Sequence, residues 1–315
     1  MKEVSFVVIA YNEEKNIIHT LTSILGQKGL SDYELIVVND GSTDNTARLV
    51  SAFANKHTHV TLIDNAINRG RGFARHEGVQ KATGKYIAFV DADIILPPNW
   101  LTACMRYMDR YDAVGGMAVP DGDVTYIYVT FDLLPKKASQ STTITGNNGL
   151  YNRKIFYSVG FDPHSRDGED FAFNCELKKR GFKLFSIPSL VVDHRESKSF
   201  WSSMRWLFQS GMGASRLFKQ FGKVRLPDIT FFGLLVTLIV SILVAYIFHV
   251  PFLLLLIPFY VVLTSSLHVY TKFLFQPSNI ISIAAAILVN SLFLSAYYLG
   301  RIIGLFTTKN SNQSK

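Results

Sequence analysis

Cysteine is nearly absent from this chain of 315 residues: Cys104 and Cys175 stand alone, in neither metal-ligand nor redox spacing. A disulfide framework is excluded, and both read as small buried hydrophobes. Also missing is any basic run with interleaved aromatics. The net charge of +8 therefore describes no track for a phosphate backbone, and no nucleic acid partner is expected. No Gly-x-Gly-x-x-Gly follows the first apolar run, where Tyr11-Asn12-Glu13-Glu14 stands instead; the dinucleotide fingerprint of dehydrogenases is excluded. There are no internal repeats, and no low-complexity stretch beyond the polar tail at 307–315. The apolar stretch at 1–11 is too short for a signal segment with its cleavage site and is expected to be a strand. Finally, charge itself is unevenly scarce. Charged side chains run through positions 1–228, then almost vanish over 229–270 and 280–300. That contrast divides the chain into a soluble part and a membrane part.

In the soluble part, 4–10 (VSFVVIA) is a β-branched apolar run, followed by helical spacing through Ile17, Leu21, Ile24 and Leu25. A second strand at 34–38 closes in Asn39-Asp40-Gly41-Ser42. A helix over 43–53 follows, with Ser42 or Thr43 as its N-cap. A strand at 60–63, a helix at 72–82 and a strand at 86–90 bring the chain to Asp91. Strand, loop and helix in repetition predict a parallel sheet with helices on both faces. Ligands of such sheets bind beyond the carboxyl ends of the strands, which puts Tyr11, Glu13, Asp40 and Asp91 on one edge. After Pro97-Pro98 the pattern loosens into a helix at 100–110 and mixed segments to Asp193, a second layer of the same domain.

Over 200–221, Trp201, Met204, Phe208, Met212 and Phe218 recur at helical spacing, with Arg205, Arg216 and Lys219 on other faces. This is either an amphipathic helix at a membrane interface or a helix packed on the soluble core. Arg205, Arg216, Lys219, Lys223 and Arg225 precede the first apolar segment and read as a cytoplasmic flank facing anionic headgroups. Residues 229–248 carry no formal charge and make roughly 30 Å of helix at about 1.5 Å per residue. Residues 251–270 and 280–300 supply two further expected spans. The domain plan is then a cytoplasmic domain over 1–198 and an interfacial helix with a basic juxtamembrane segment over 199–228. A multi-pass membrane region over 229–304 and a polar tail over 305–315 follow. Three spans would leave Arg301, Lys309 and Lys315 on the far side, against the positive-inside tendency. Either the charge bias is weak here or one apolar segment is re-entrant.

Asp91-Ala92-Asp93 ends the apolar strand YIAFV. Two carboxylates one residue apart at a strand–loop junction suit one hard divalent cation, Mg²⁺ or Mn²⁺, acting as a Lewis acid on a departing diphosphate. Glu169 and Asp170, within Asp167-Gly168-Glu169-Asp170-Phe171, form a second acidic cluster. Asp170, opening a helical run at 171–179, suits a general base; alternatively both acids merely favour a helix N-terminus. Gly146-Asn147-Asn148-Gly149 is either a loop whose backbone approaches a ligand or an ordinary turn. His194 completes the metal's ligands, contacts the diphosphate, or is structural.

In order along the chain, VVIAYNEE (7–14), VVNDGSTDNT (37–46), NRGRGFARHEG (68–78), FVDAD (89–93), TGNNGLYNR (145–153) and DGEDFAF (167–173) resemble the family-two glycosyltransferases of the GT-A fold. The resemblance implies an α/β Rossmann-like mixed sheet followed by C-terminal transmembrane helices. It implies that Ala10, Tyr11 and Glu13 border the nucleotide of a nucleotide-sugar donor, that Asp40 contacts its base, and that Arg69 and Gly70 lie near ribose or diphosphate. Asp91 then holds ribose and metal, Asp93 is the main metal ligand, and His194 matches the late histidine of the fold. Asp170 becomes the catalytic base, with Gly149 in the acceptor-side loop and Glu169, Arg205 and Trp206 also on the acceptor side. Such enzymes invert the anomeric centre by in-line displacement. Processive synthases carry Gln or Arg three residues before the Arg-Trp pair; here Arg205-Trp206 follows Ser202, which favours transfer of a single sugar. The expected acceptor is a lipid-linked or cell-surface glycan at the cytoplasmic membrane face. A polyprenyl-phosphate glycosyltransferase is the alternative within the class, and a non-catalytic membrane scaffold the alternative outside it.

Overall fold

The computed structural model describes residues 2–29, 31–120, 139–141, 143–166, 168–195, 200–222, 224, 226–249, 256–273 and 280–307. Asp167, Lys223 and Arg225, residues 251–255 of the second expected span, and Lys309 and Lys315 of the tail lie outside the described residues. Two compact units are present, described through Arg195 and from Phe200 onward.

The first unit alternates β1 (Val4–Ala10), α1 (Ile17–Leu25), β2 (Tyr33–Asp40), α2 (Thr46–Ala54), β3 (Val60–Asn65), α3 (Arg71–Lys81) and β4 (Tyr86–Asp91). There follow β5 (Ile94–Ile95), α4 (Trp100–Met105), β6 (Ala113–Pro120), β7 (Ser139–Ser141) and β8 (Asn148–Asn152). A 3₁₀ turn (Arg153–Tyr157), α5 (Glu169–Lys179) and β9 (Leu184–His194) complete the unit. One sheet joins the strands in the order β3-β2-β1-β4-β8-β6-β9-β5, with β7 on β9. β3, β2, β1 and β4 are mutually parallel, whereas β8 runs against both β4 and β6. The expected mixed sheet is therefore the observed one.

Every residue of β1 is buried, as a strand covered on both faces requires. Phe6, Val8 and Ala10 enter one core with Leu21, Val50 and Trp100; Val7 and Ile9 enter the other with Ala74, Phe89 and Phe173. Alternation along one strand thus anchors two helical layers, each large side chain contributing about 1.5–3 kcal/mol on burial. The register finishes the strands level: Ile9 lies beside Asp91, Ala10 beside Asn39, and Asp40 beside Asn65. Two element boundaries of this unit differ from expectation by three residues or more. The second helix starts at Thr46 rather than 43, because residues 42–45 are engaged elsewhere: Ser42 Oγ accepts from the Asn12 amide, and the Thr43 amide donates to Asn12 Oδ1. The helix expected over 100–110 closes at Met105; the turns that follow bury Met108 and stack Tyr111 on Phe185.

The second unit contains α6 (Phe200–Phe221), α7 (Leu226–Phe248), α8 (Leu256–Phe273) and α9 (Ile280–Thr307). α6 covers the residues expected of the amphipathic helix, yet its buried face is made of Ser203, Leu207, Gly211, Ala214 and Ser215, while Trp201 is exposed. Small residues let its backbone touch that of α9. A β-carbon on Gly211 would come 2.2 Å from the Tyr297 carbonyl oxygen, and one on Gly300 2.0 Å from that of Phe208. Phe200 stacks on Phe293, and Ser215 Oγ donates to the Arg301 carbonyl, so α6 and α9 run parallel. Arg301 is fully buried, with Nε 3.1 Å from Asp228 Oδ1, which also accepts the Tyr297 hydroxyl at 2.8 Å. Counted among the far-side charges under the three-span plan, Arg301 is an internal partner of the first turn of α7. Among the described residues, two stretches, Asp228–Phe248 and Ile287–Thr307, are long and apolar enough to cross a membrane, and Leu256–Ser266 is apolar but shorter. Much of α7 faces outward through apolar side chains such as Val236, Ile239, Leu243 and Ile247.

Candidate active site

The site begins where β1 ends. Ala10 is buried and Tyr11 exposed. Asn12 takes a positive φ of 58°, which Asn tolerates better than most residues. In that conformation it holds the loop after β2, and the grip continues residue by residue. The Glu13 amide donates to Thr46 Oγ1 at 2.8 Å, and Glu14 Oε2 accepts the Asn45 amide at 3.0 Å. Asp40 is buried at the end of β2, its two oxygens accepting the amides of Arg69 at 2.9 Å and Gly70 at 2.7 Å. Arg69 is exposed, and its guanidinium lies 3.6 Å from the centroid of the Phe73 ring. Gly41 turns the chain at φ 71°, where a β-carbon would lie 2.4 Å from the Ile67 carbonyl carbon. Gly41→Ala is accordingly expected to cost about 2 kcal/mol and to lower Tm by about 4–8 °C, as checked by thermal unfolding.

Beyond β4 the backbone carries Asp91 and Asp93 to the same edge. Ala92 between them is buried, its carbonyl accepting Thr20 Oγ1 at 2.7 Å, so the two carboxylates flank a fixed point. Asp93 Oδ2 lies 3.0 Å from His194 Nε2, a contact set by the pairing of Ile94 with His194 between β5 and β9. Glu13 faces the same space. Burial first, then the charge of Asp93 and that of Asp91, push its pKa up to about 7, against the hydrogen bond from Asn16 and the pull of His194. Like charges crowded in this way are relieved by a cation. Among the described residues, no three His, Cys, Asp or Glu side chains gather closely enough to cage a metal alone. Coordination by one or two carboxylates and the oxygens of a bound diphosphate is what Mg²⁺ favours, and Asp91 with Asp93 fits that pattern.

Asp170 stands in the first turn of α5. Its Oδ1 accepts the Phe171 amide at 2.7 Å and its Oδ2 the Gly146 amide at 3.3 Å. Both donors point at the carboxylate and hold it in place. Phe173 anchors the helix, stacked on Phe161 with ring centroids 4.2 Å apart. Glu169, one residue before Asp170, is buried. Gly149, expected in an acceptor-side loop, lies instead in β8 between Phe89 and Gly115. A β-carbon there would meet the Tyr151 ring at 2.7 Å, so the glycine serves packing, and the loop's close approach is made by Gly146. Arg205 and Trp206 belong to α6 in the second unit. There Arg205 lines a groove of about 660 Å³ with Trp201, Met204, Phe208 and Leu299.

One site residue escapes the motif reading. Arg75 of α3 is fully buried and pairs with both Asp91, at 2.7 Å, and Glu169. It also donates to the Gly146 carbonyl at 3.0 Å. Burial alone would lower its pKa; the charges of Asp91, Glu169 and Asp170 more than reverse this, and the guanidinium is held protonated.

A parallel half ending in a polar edge, an antiparallel second layer, and an acidic pair after the fourth strand define a GT-A nucleotide-sugar transferase domain. The family described as Glycosyl transferase family 2 matches residues 5–167, and the chain belongs to it. Poly-beta-1,6-N-acetyl-D-glucosamine synthase of Staphylococcus epidermidis is 27% identical over 199 residues, 59% of this chain and 48% of that protein. Succinoglycan biosynthesis protein ExoO of Rhizobium meliloti is 37% identical over 119 residues, 38% of this chain and 32% of that protein. The chain thus spans about half the length, or less, of the curated relatives it matches. Among solved structures, the mannosyltransferase PcManGT of Pyrobaculum calidifontis, in complex with GDP-Man and Mn²⁺, is similar with a TM-score of 0.60. That likeness, at 19% identity over 97% of this chain and 87% of that one, concerns the fold.

Proposed function

We propose that the protein is an inverting, metal-dependent glycosyltransferase. It moves a single sugar from a nucleotide-diphosphate donor to a lipid-linked or cell-surface glycan at the cytoplasmic face of a membrane. The observation that carries this reading is the acidic pair Asp91 and Asp93 at the end of β4, with His194 Nε2 3.0 Å from Asp93 Oδ2. Asp91 and Asp93 would hold Mg²⁺ or Mn²⁺, and when bound the ion supplies Lewis acidity to the leaving diphosphate. Ala10, Tyr11, Asp40, Arg69 and Gly70 border the nucleotide. Asp170, kept in place by the amides of Gly146 and Phe171, accepts the proton of the attacking hydroxyl. Polysaccharide-forming relatives support a glycan acceptor. The test is transfer and hydrolysis across UDP-, GDP- and dTDP-sugars with Mn²⁺ and membrane lipid extracts. Loss of label from none of these donors would remove the proposal.

The membrane arrangement is part of the same reading. Asp228 lies in the first turn of α7 and Arg301 about two turns from the end of α9, so their ion pair supports α7 and α9 running in opposite directions, with an even number of crossings between the two residues. The parallel packing of α6 and α9 agrees, since their C-terminal ends then leave the bundle together. Cysteines introduced at Lys219 and Phe306 are expected to react with an impermeant maleimide from one side, and a cysteine at Phe248 from the other. Cys104 and Cys175, both buried, should stay silent.

A further inference from the structure

We propose that Arg75 is a positioning residue that ties the metal-side carboxylate to the catalytic base, acting on Asp91 directly and on Asp170 through Glu169. The inference rests on the glycosyltransferase reading above. Three features of the fold converge on this guanidinium: the end of β4 through Asp91, the first turn of α5 through Glu169, and the Gly146 turn through its carbonyl. Nothing leaves it room to swing. Its own helix is pressed against its neighbours by the glycines three residues to either side: a β-carbon on Gly72 would come 2.3 Å from the Asp162 carbonyl oxygen, and one on Gly78 2.2 Å from Val7.

The geometry of α5 explains how a buried pair can aim an accessible group. Successive helical residues point about 100° apart. Glu169 and Phe173, four residues apart, share a face and are both buried, Glu169 against Arg75 and Phe173 in the aromatic cluster. Two anchors on one face fix the rotation of the first turn, and that rotation turns Asp170 toward the Gly146 amide. The same turn meets Arg75 again: a β-carbon on Gly146 would lie 2.9 Å from both Arg75 Nη2 and Asp170 Cβ. A planar guanidinium serves two carboxylates and a carbonyl at once; the point charge of lysine cannot.

The test uses the full-length protein in detergent micelles. Binding of UDP and of GDP in the presence of Mn²⁺ is measured by calorimetry, and sugar transfer by initial rates, with the fold checked by thermal unfolding. Glu169→Gln keeps the Arg75–Asp91 tie and should leave Mn²⁺-dependent nucleotide affinity within about twofold while lowering kcat about tenfold. Arg75→Lys disturbs both ends, and is expected to weaken that affinity about tenfold and lower kcat about a hundredfold. A purely structural role predicts a lower Tm with both parameters unchanged below the unfolding temperature, and that result overturns the inference. If Arg75→Lys does not fold, Glu169→Gln decides alone: wild-type kcat overturns it. A wild-type protein that neither binds nucleotide with Mn²⁺ nor transfers sugar sinks the functional reading, and this inference with it.

Discussion

Asp170→Asn is expected to lower kcat by about 10²- to 10⁴-fold while nucleotide binding stays intact. The substitution keeps shape and volume, so the stack of Phe173 on Phe161 that anchors α5 is untouched. Its amide oxygen can still accept the Phe171 amide, the shorter of the two contacts at 2.7 Å, while the amide nitrogen faces the Gly146 donor at 3.3 Å. Two opposed donors there cost some local stability, on the order of 1 kcal/mol. The chemical loss is larger. A carboxylate takes the acceptor's proton as its oxygen attacks, and an amide cannot. Donor affinity should survive because the groups expected to hold the nucleotide sit on the ends of β1, β2 and β4. Initial rates at saturating donor, set beside UDP and GDP titrations, separate the two effects. Full transfer by Asp170→Asn would move the base to another residue.

How far these residues can be read from sequence depends on whether their environment is local. β1, β2 and β4 are continuous apolar runs because both faces are covered, and such runs are visible without a structure. Asp91 and Asp93 are equally visible, being acids placed where an apolar strand stops. The start of α2 is less so, because Asn12 and Glu14 take hold of residues 43–45 from another loop. Gly149 and Gly146 look alike within TGNNG; only pairing with Phe89 and Gly115 assigns the former to the sheet. Arg75 is hidden because an arginine in a polar helix normally faces water. The signal that marks it is Gly72 and Gly78, three residues away on each side, which mark the face pressed against the Asp162 and Ser165 carbonyls and the Val7 side chain. Arg301 misleads for the opposite reason. A charge closing an apolar run resembles a membrane flank, and its partner Asp228 lies at the start of a different helix.

Asp93→Asn should abolish most Mn²⁺-dependent nucleotide binding and transfer, and should also make the metal-free protein more stable near neutral pH. The first effect follows from removing one of two carboxylates available to the ion; a loss of about a hundredfold or more in activity is expected. The second follows from Glu13. Its pKa is raised from 4.5 to about 7 in the folded protein, by burial first and then by the charge of Asp93. A carboxyl raised in this way binds protons more tightly folded than unfolded. Stability is therefore undiminished below about pH 4.5, is lost as pH rises toward 7, and stays diminished above it. Neutralising Asp93 removes the second of these causes and shrinks the loss, by about 1.4 kcal/mol for each pKa unit recovered. Asparagine can still hydrogen-bond to His194, so the β5–β9 edge keeps its contact. Urea unfolding at pH 5 and pH 7.5, without metal, measures the effect. Wild type should lose more stability than Asp93→Asn between those two values, and Mn²⁺ with nucleotide should restore it in wild type alone. Equal pH dependence in the two proteins would show that Asp93 does not crowd Glu13, and the two carboxylates would then not belong to one cation site.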